Sequence, residues 1–150
     1  LEFENPVYSD VAPLNGLISL LKSHEIEIHF MRDVTRGGLA TVLSELAFMC
    51  GLGVMIEEDR IPVNEQVNGI CEIYGFNPLY LANEGKMVMV VSGRSVDRAL
   101  EIMKQHELGK DARMIGHITE SNPRMVLMNS IIGSIRIIEK LTGEQLPRIC

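Results

Sequence analysis

The stretch Ile26-Glu27-Ile28-His29-Phe30-Met31-Arg32-Asp33-Val34-Thr35-Arg36-Gly37-Gly38-Leu39 decides the fold, because its apolar period changes within a few residues. Ile26, Ile28 and Phe30 alternate with polar Glu25, Glu27 and His29, the period of two expected of a half-buried strand. Beyond the Gly37-Gly38 pair, Leu39, Val42, Leu43, Leu46 and Ala47 recur at helical spacing up to about Cys50, with Gly51 and Gly53 as stop signals. A strand therefore runs through a glycine loop straight into a helix.

On the N-terminal side, Leu14, Leu17, Ile18 and Leu21 recur at helical spacing, and residues 1–13, with Pro6 and Pro13, form an irregular lead-in. On the C-terminal side a short strand is expected from Val54 to Glu57. Pro62 then opens a helix with Val63, Val67, Ile70, Cys71 and Tyr74 facing inward, closed by Gly75 and Pro78. The continuous apolar run Met87-Val88-Met89-Val90-Val91, between Lys86 and Ser92, marks a strand covered on both faces and central in its sheet. Ser95 caps the following helix, Asp97 suits its positive first turn, Val96, Ala99, Leu100 and Met103 face inward, and Gly109 ends it. Short strands are expected near Met114 to Ile118, Met125 to Met128 and Ser134 to Ile138, the last two joined as a hairpin through Asn129 and Gly133. Helix and strand alternation closed by a hairpin is an α+β fold, with helices packed on one face of a mixed sheet. It occupies residues 14–142 and leaves 143–150 as a tail.

With 150 residues and 46% apolar composition, the chain is long enough for one domain with a real core. A formal charge of −6 without a Lys/Arg cluster argues against nucleic acid or an anionic membrane surface as a partner. No apolar run approaches the ~20 residues of a membrane span, and the start lacks the features of a signal peptide. The expected location is the cytoplasm. Cys50, Cys71 and Cys150 are widely spaced, without a CxxC pair or a matching histidine arrangement, so free thiols and no metal site are expected. His24, His29, His106 and His117 are scattered singly and read as surface or ordinary packing, while the methionines, Cys50 and Cys71 read as core filler. Leu1 in place of an initiating methionine points to a piece of a longer protein.

Three places carry chemistry. In the loop Asp33, Val34, Thr35, Arg36, Gly37 and Gly38, glycines at a helix start allow close backbone approach and favour an anion such as phosphate. Equally, Thr35 could simply cap the helix while the glycines permit packing; no Gly-Lys-Ser/Thr follows, so this is not a Walker loop. Glu84, between Asn83 and Gly85 just before the apolar strand, is either a solvated turn residue or a partly buried carboxylate with a raised pKa acting as a general base. In Leu146-Pro147-Arg148-Ile149-Cys150 the last residue is a thiol, either an accident of the chain end or a nucleophile on a tether. Thiolate is the reactive form, and Arg148 favours it while a terminal carboxylate opposes it. Pro147 keeps the approach extended. From Gly143 the tail could carry the sulfur on the order of 26 Å.

Pro147-Arg148-Ile149-Cys150, together with Met31-Arg32-Asp33-Val34-Thr35-Arg36-Gly37-Gly38-Leu39-Ala40 and Asn83-Glu84-Gly85, resembles the hydrogenase maturation proteins called HypE. Val34 stands where that family's pattern has proline. The resemblance covers nearly the whole chain and corresponds to the C-terminal half of a HypE protein. It implies the fold of the C-terminal domain of aminoimidazole ribonucleotide synthetase, a relative of selenophosphate synthetase. It further implies an ATP-dependent dehydration of the S-carbamoylated Cys150 to a thiocyanate, with Glu84 removing protons from the modified cysteine. Asp33, Thr35, Arg36, Gly37 and Gly38 would form a loop facing the ATP-binding half, and 1–13 would lead in from that half. ATP and Mg²⁺ would sit mostly on that missing half, with none held tightly here, and the piece alone would not turn over ATP. The implied partners are the carbamoyltransferase HypF, the cyanide acceptors HypC and HypD that serve the iron of a nickel–iron hydrogenase, the protein's own N-terminal domain, and a second copy in a homodimer. Two alternatives stand beside this: another enzyme of the superfamily, making a purine precursor or selenophosphate without need of Cys150, and a non-catalytic module that docks a maturation partner.

Overall fold

A computed structural model describes residues 8–140. In chain order the elements are α1 (Asn15–Ser23), β1 (Ile28–Asp33), α2 (Gly38–Cys50), β2 (Gly53–Glu57), α3 (Glu65–Tyr74), β3 (Met87–Val91), α4 (Val96–Lys104), β4 (Gly116–Thr119), β5 (Val126–Asn129) and β6 (Ile135–Ile137), joined in places by single 3₁₀ turns. The strands divide between an antiparallel ribbon of β1 and β3 and a mixed sheet in the order β4-β2-β5-β6. Within that sheet β2 runs parallel to β5, and the other pairs are antiparallel. The mixed α+β architecture expected from the sequence is therefore present, with the expected strands in a separate ribbon and sheet.

Helix α2 is the middle of the molecule. Its residues Ala40, Val42, Leu43, Leu46 and Ala47 pack with Val54 and Ile56 of β2 and Val126 and Met128 of β5 on one side, and with Val88 of β3 on the other. A second cluster joins Leu21 of α1 and Ala99 and Ile102 of α4 to Ile26, with Ile28, Met89 and Val91 against it. Both faces of β3 are packed, as its composition predicts: Val88 and Val90 join the main cluster, while Met89 and Val91 lie against the α1–α4 cluster. Its expected place at the centre of a sheet is not found, since among the described residues β3 pairs only with β1. Burial comes from layers above and below it, not from strands on both edges.

Other boundaries differ for identifiable reasons. The alternation of Ile26, Ile28 and Phe30 does not place all three on one face, because the β1–β3 register shifts between Ile28 and Phe30. An irregularity of that kind inserts a residue and turns the following side chains over, so Ile28 joins the α1–α4 cluster and Phe30 the α2 cluster. Helix α3 begins at Glu65, not at Pro62, because Asn64 Oδ1 accepts from Gln66 N at 2.9 Å and caps the helix there. Of its expected inward face only Cys71 is buried, while Val63 and Tyr74 are exposed. In α4, Ser95 precedes the helix without a side-chain cap bond, and Ile102 takes the buried place beside Ala99. That helix ends at Lys104, ahead of Gly109, which packs against the carbonyl of Met103. Gly53 lies inside β2 and ends nothing; its bare Cα lets the backbone of Ser121 approach. The hairpin of β5 and β6 forms as expected, its Gly133 at φ 81° with its N–H donating to Ser130 O at 2.8 Å.

Cys50, expected in the core, is exposed at the end of α2, whereas Cys71 is buried. Burial pushes the Cys71 thiol above its ordinary pKa, which lowers its thiolate fraction as well as its access. Iodoacetamide on the native protein near pH 8 should therefore alkylate Cys50 promptly and Cys71 only after denaturation. Peptide mass mapping reads this directly, and equal labelling of the two would show that α3 opens readily. No described helix is long and apolar enough to cross a membrane.

Candidate active site

Residues 33–38 and 83–85, far apart in sequence, lie side by side at one end of the β1–β3 ribbon. The antiparallel pairing puts Asp33, the last residue of β1, opposite Met87, the first of β3. Two backbone bonds carry the contact beyond the strands: Val34 N donates to Lys86 O at 3.1 Å, and Asn83 N donates to Val34 O at 3.0 Å. Val34 is 5% exposed and belongs to the main core. A proline there would have no N–H for Lys86, so valine adds a ladder bond to this end of the ribbon.

The glycines let the segments meet. Gly38 has φ 64°, and a Cβ on it would stand 2.5 Å from Leu79 O and 2.6 Å from Leu81 O. The start of α2 is thus seated against the backbone of the 3₁₀ turn Pro78–Tyr80 and the residue after it. Carbonyl oxygens there face the positive end of the helix. Of the two roles weighed for the glycine pair, close packing is the one this geometry displays at Gly38. Thr35 is not the helix cap; Gly37, in the left-handed region, holds that position, and Thr35 O accepts from Gly38 N at 3.3 Å. Gly85 packs onto the carbonyl of Asp10, and Lys86 Nζ donates to Asp10 Oδ2 at 2.7 Å and to Asn83 Oδ1 at 3.1 Å. The lead-in, irregular over residues 8–13 as expected, is in this way held along the turn that carries Glu84.

Glu84 is exposed, so of the two surroundings open to it from the sequence the solvated turn is the one found. The turn itself is held through the neighbours Asn83, Gly85 and Lys86. Asp33 and Arg36 are exposed as well, and Thr35 is half-buried. One guanidinium and two carboxylates on adjoining loops suit the oxygens of a phosphate and its counter-cation from one side. They are too few to hold a nucleotide by themselves, and among the described residues no three His, Cys, Asp or Glu side chains converge as a metal site. The histidines remain scattered: His29 and His117 are exposed, and His106 Nδ1 accepts from Leu108 N at 3.2 Å as a local cap. Pro147, Arg148, Ile149 and Cys150 lie outside the described residues.

One feature escaped the sequence reading. Glu45 accepts from Lys140 Nζ at 2.7 Å and from Arg32 Nη1, the residue before Asp33. The Lys140 and then the Arg32 hydrogen bonds hold its carboxyl below the ordinary value of 4.5. The stabilisation from this link is therefore complete above the ordinary carboxylate range and is lost as pH falls through the lowered pKa. Tyr80, in the turn that seats Gly38, donates its hydroxyl to Glu139 O at 3.0 Å. The available signal was that Glu45 is the one charged residue in the otherwise apolar or neutral α2.

Residues 10–127 match the family described as AIR synthase related protein, C-terminal domain. The carbamoyl dehydratase HypE of Cupriavidus necator is 42% identical over 150 residues, which is 100% of this chain and 43% of that protein. The chain thus spans less than half the length of this curated relative. Among solved structures, HypE in complex with ATP aligns with a TM-score of 0.92 at 36% identity, covering 100% of this chain and 46% of that one. A HypE–HypF complex aligns with a TM-score of 0.85 at 48% identity, covering 94% of this chain and 46% of that one. With residues 10–127, most of the chain, matching that domain and the mixed α+β fold in place, the chain belongs to the AIR synthase related proteins, as their C-terminal domain, and is similar throughout to HypE.

Proposed function

We propose that this domain, joined to an ATP-binding half, carries out the ATP-dependent dehydration of an S-carbamoyl group on Cys150 to a thiocyanate, in the cytoplasm, during hydrogenase maturation. The observation that carries this reading is the 42% identity, over the whole chain, to a carbamoyl dehydratase. The meeting of residues 33–38 with 83–85 supports it, because a loop suited to face a phosphate lies beside the carboxylate that would move the proton.

The chemistry sets the roles. The carbamoyl group arrives on the Cys150 sulfur from a carbamoyltransferase, HypF. Oxide is a poor leaving group, so the thiocarbamate oxygen first takes the γ-phosphoryl group of ATP while the nitrogen gives up one proton to Glu84, which releases it to water. Glu84 then takes the second N–H proton as the C–O bond breaks. The oxygen leaves with phosphate and the nitrogen lone pair closes the triple bond. Thiocarbamate and ATP become thiocyanate, ADP and phosphate. Asp33 and Arg36 would face the phosphates and their Mg²⁺ from this side, while the other half supplies most of the nucleotide contacts. HypC and HypD would take the cyanide onward to the iron of a nickel–iron hydrogenase. The full protein would work as a homodimer, and the 150-residue chain alone would not hydrolyse ATP.

Intact mass spectrometry of the full-length protein, after incubation with HypF, carbamoyl phosphate and ATP, tests the reading. The expected result is a carbamoyl adduct mapped to Cys150 that ATP converts to a cyano adduct. An unmodified Cys150 in the presence of active HypF would sink it and return attention to purine or selenophosphate chemistry. An adduct formed but never converted would point to a docking role.

A further inference from the structure

The described chain ends in a clasp. Ile138 is buried, 6% exposed, and its N–H donates to Val126 O at 2.9 Å, which is sufficient to hold the end of the hairpin in place. Glu139 and Lys140 are exposed, yet each has a partner: Tyr80 Oη donates to Glu139 O at 3.0 Å, and Lys140 Nζ donates to Glu45 Oε1 at 2.7 Å. Ser44 Oγ, next to Glu45, also reaches Ile138 O at 3.4 Å. Exposed ion pairs add little to stability and a single hydrogen bond adds about 1 kcal/mol, so neither attachment is a large part of what holds the fold. What they fix is the position of Glu139 and Lys140, the last described residues.

Both attachments lead back to the candidate site. Glu45 is bonded on its other oxygen to Arg32, adjacent to Asp33. Tyr80 belongs to the backbone turn that seats Gly38, four residues before Glu84. The partners that catch residues 139 and 140 are thus continuous with the two segments 33–38 and 83–85. Cys150 lies ten residues beyond Lys140, a span of at most about 35 Å. For a tethered group, the effective concentration at a site depends on where the tether begins.

We propose that Glu45 and Tyr80 are positioning residues: together they set the departure point of the chain at Lys140 so that the Cys150 sulfur is delivered to the paired loops 33–38 and 83–85. This rests on the reading of Cys150 as the carrier of the reacting group.

The test uses full-length protein carbamoylated on Cys150, with the single-turnover rate of cyano-adduct formation followed by mass spectrometry and ATP affinity measured by titration. Glu45→Gln combined with Tyr80→Phe should slow conversion by about 3- to 10-fold, the scale of a weakened tether constraint, with ATP affinity unchanged. Lys140→Glu, which places like charges together on the surface without touching the core, should do the same and carries the test if the double variant folds poorly. Conversion at the unsubstituted rate in these variants overturns the proposal. So does a parallel fall in rate and ATP affinity, which would mean that the clasp merely supports the loops. If the unsubstituted protein forms no cyano adduct, it is the carrier reading itself that fails.

Discussion

Glu84→Gln in the full-length protein is expected to lower the rate of cyano-adduct formation by about 100-fold or more, the usual loss when a positioned general base is removed. Carbamoylation of Cys150 by HypF should continue, so the carbamoyl adduct accumulates. The substitution is close to isosteric, and the contacts that shape the turn belong to Asn83, Gly85 and Lys86, not to the Glu84 side chain. The fold should therefore be retained, which unchanged thermal unfolding would verify. Glutamine keeps a hydrogen-bonding oxygen but cannot take a proton at neutral pH, so the substitution isolates proton transfer from positioning. Glu84 is exposed, which leaves its carboxylate reachable by a group brought to it. A rate within a few-fold of the unsubstituted enzyme would remove Glu84 from the role of base.

Gly38→Ala is expected to destabilise the domain by about 3 kcal/mol, lowering its melting temperature by about 6–12 °C. Two costs combine at this residue. Its φ of 64° is unfavourable for any residue with a Cβ. An added methyl would also press on Leu79 O, Leu81 O and the Tyr80 carbonyl carbon, which are backbone atoms and cannot rotate away. Gly51 supplies the control: its φ is 73°, yet nothing lies within 4 Å of where a Cβ would go, so Gly51→Ala should show the conformational cost alone, about 1 kcal/mol. Calorimetry or a circular-dichroism melt on the two variants separates the terms. Equal effects would mean that the seat of α2 on the Pro78–Tyr80 turn yields easily, and the pairing of the two candidate loops would then lose its rigid support.

Local pattern was a good guide wherever one neighbour along the chain settled the outcome. The helical stripe after Gly37-Gly38, its stop at Gly51 and the hairpin through Gly133 all follow from spacing plus a glycine able to take a positive φ. The packing of both faces of Val88 to Val91 follows from composition, because an unbroken apolar run has no polar face to turn to water. The residues of the candidate loops were legible for the same reason, as contiguous motifs.

Tertiary structure decided the rest, where the answer depended on partners distant in sequence. The register shift that sends Ile28 and Phe30 to opposite faces exists only in the pairing with β3. The exposure of Cys50 and of Glu84 reflects which layers happen to cover them, and periodicity carries no information about that. Nothing in the sequence singles out the partners of Glu45; only the fold brings Arg32 from β1 and Lys140 from beyond β6 to its two oxygens. The sequence by itself determined the elements, their order and the chemical groups available. The tertiary structure decided which groups meet, because burial and ion pairing are set by contacts between segments that spacing along the chain does not encode.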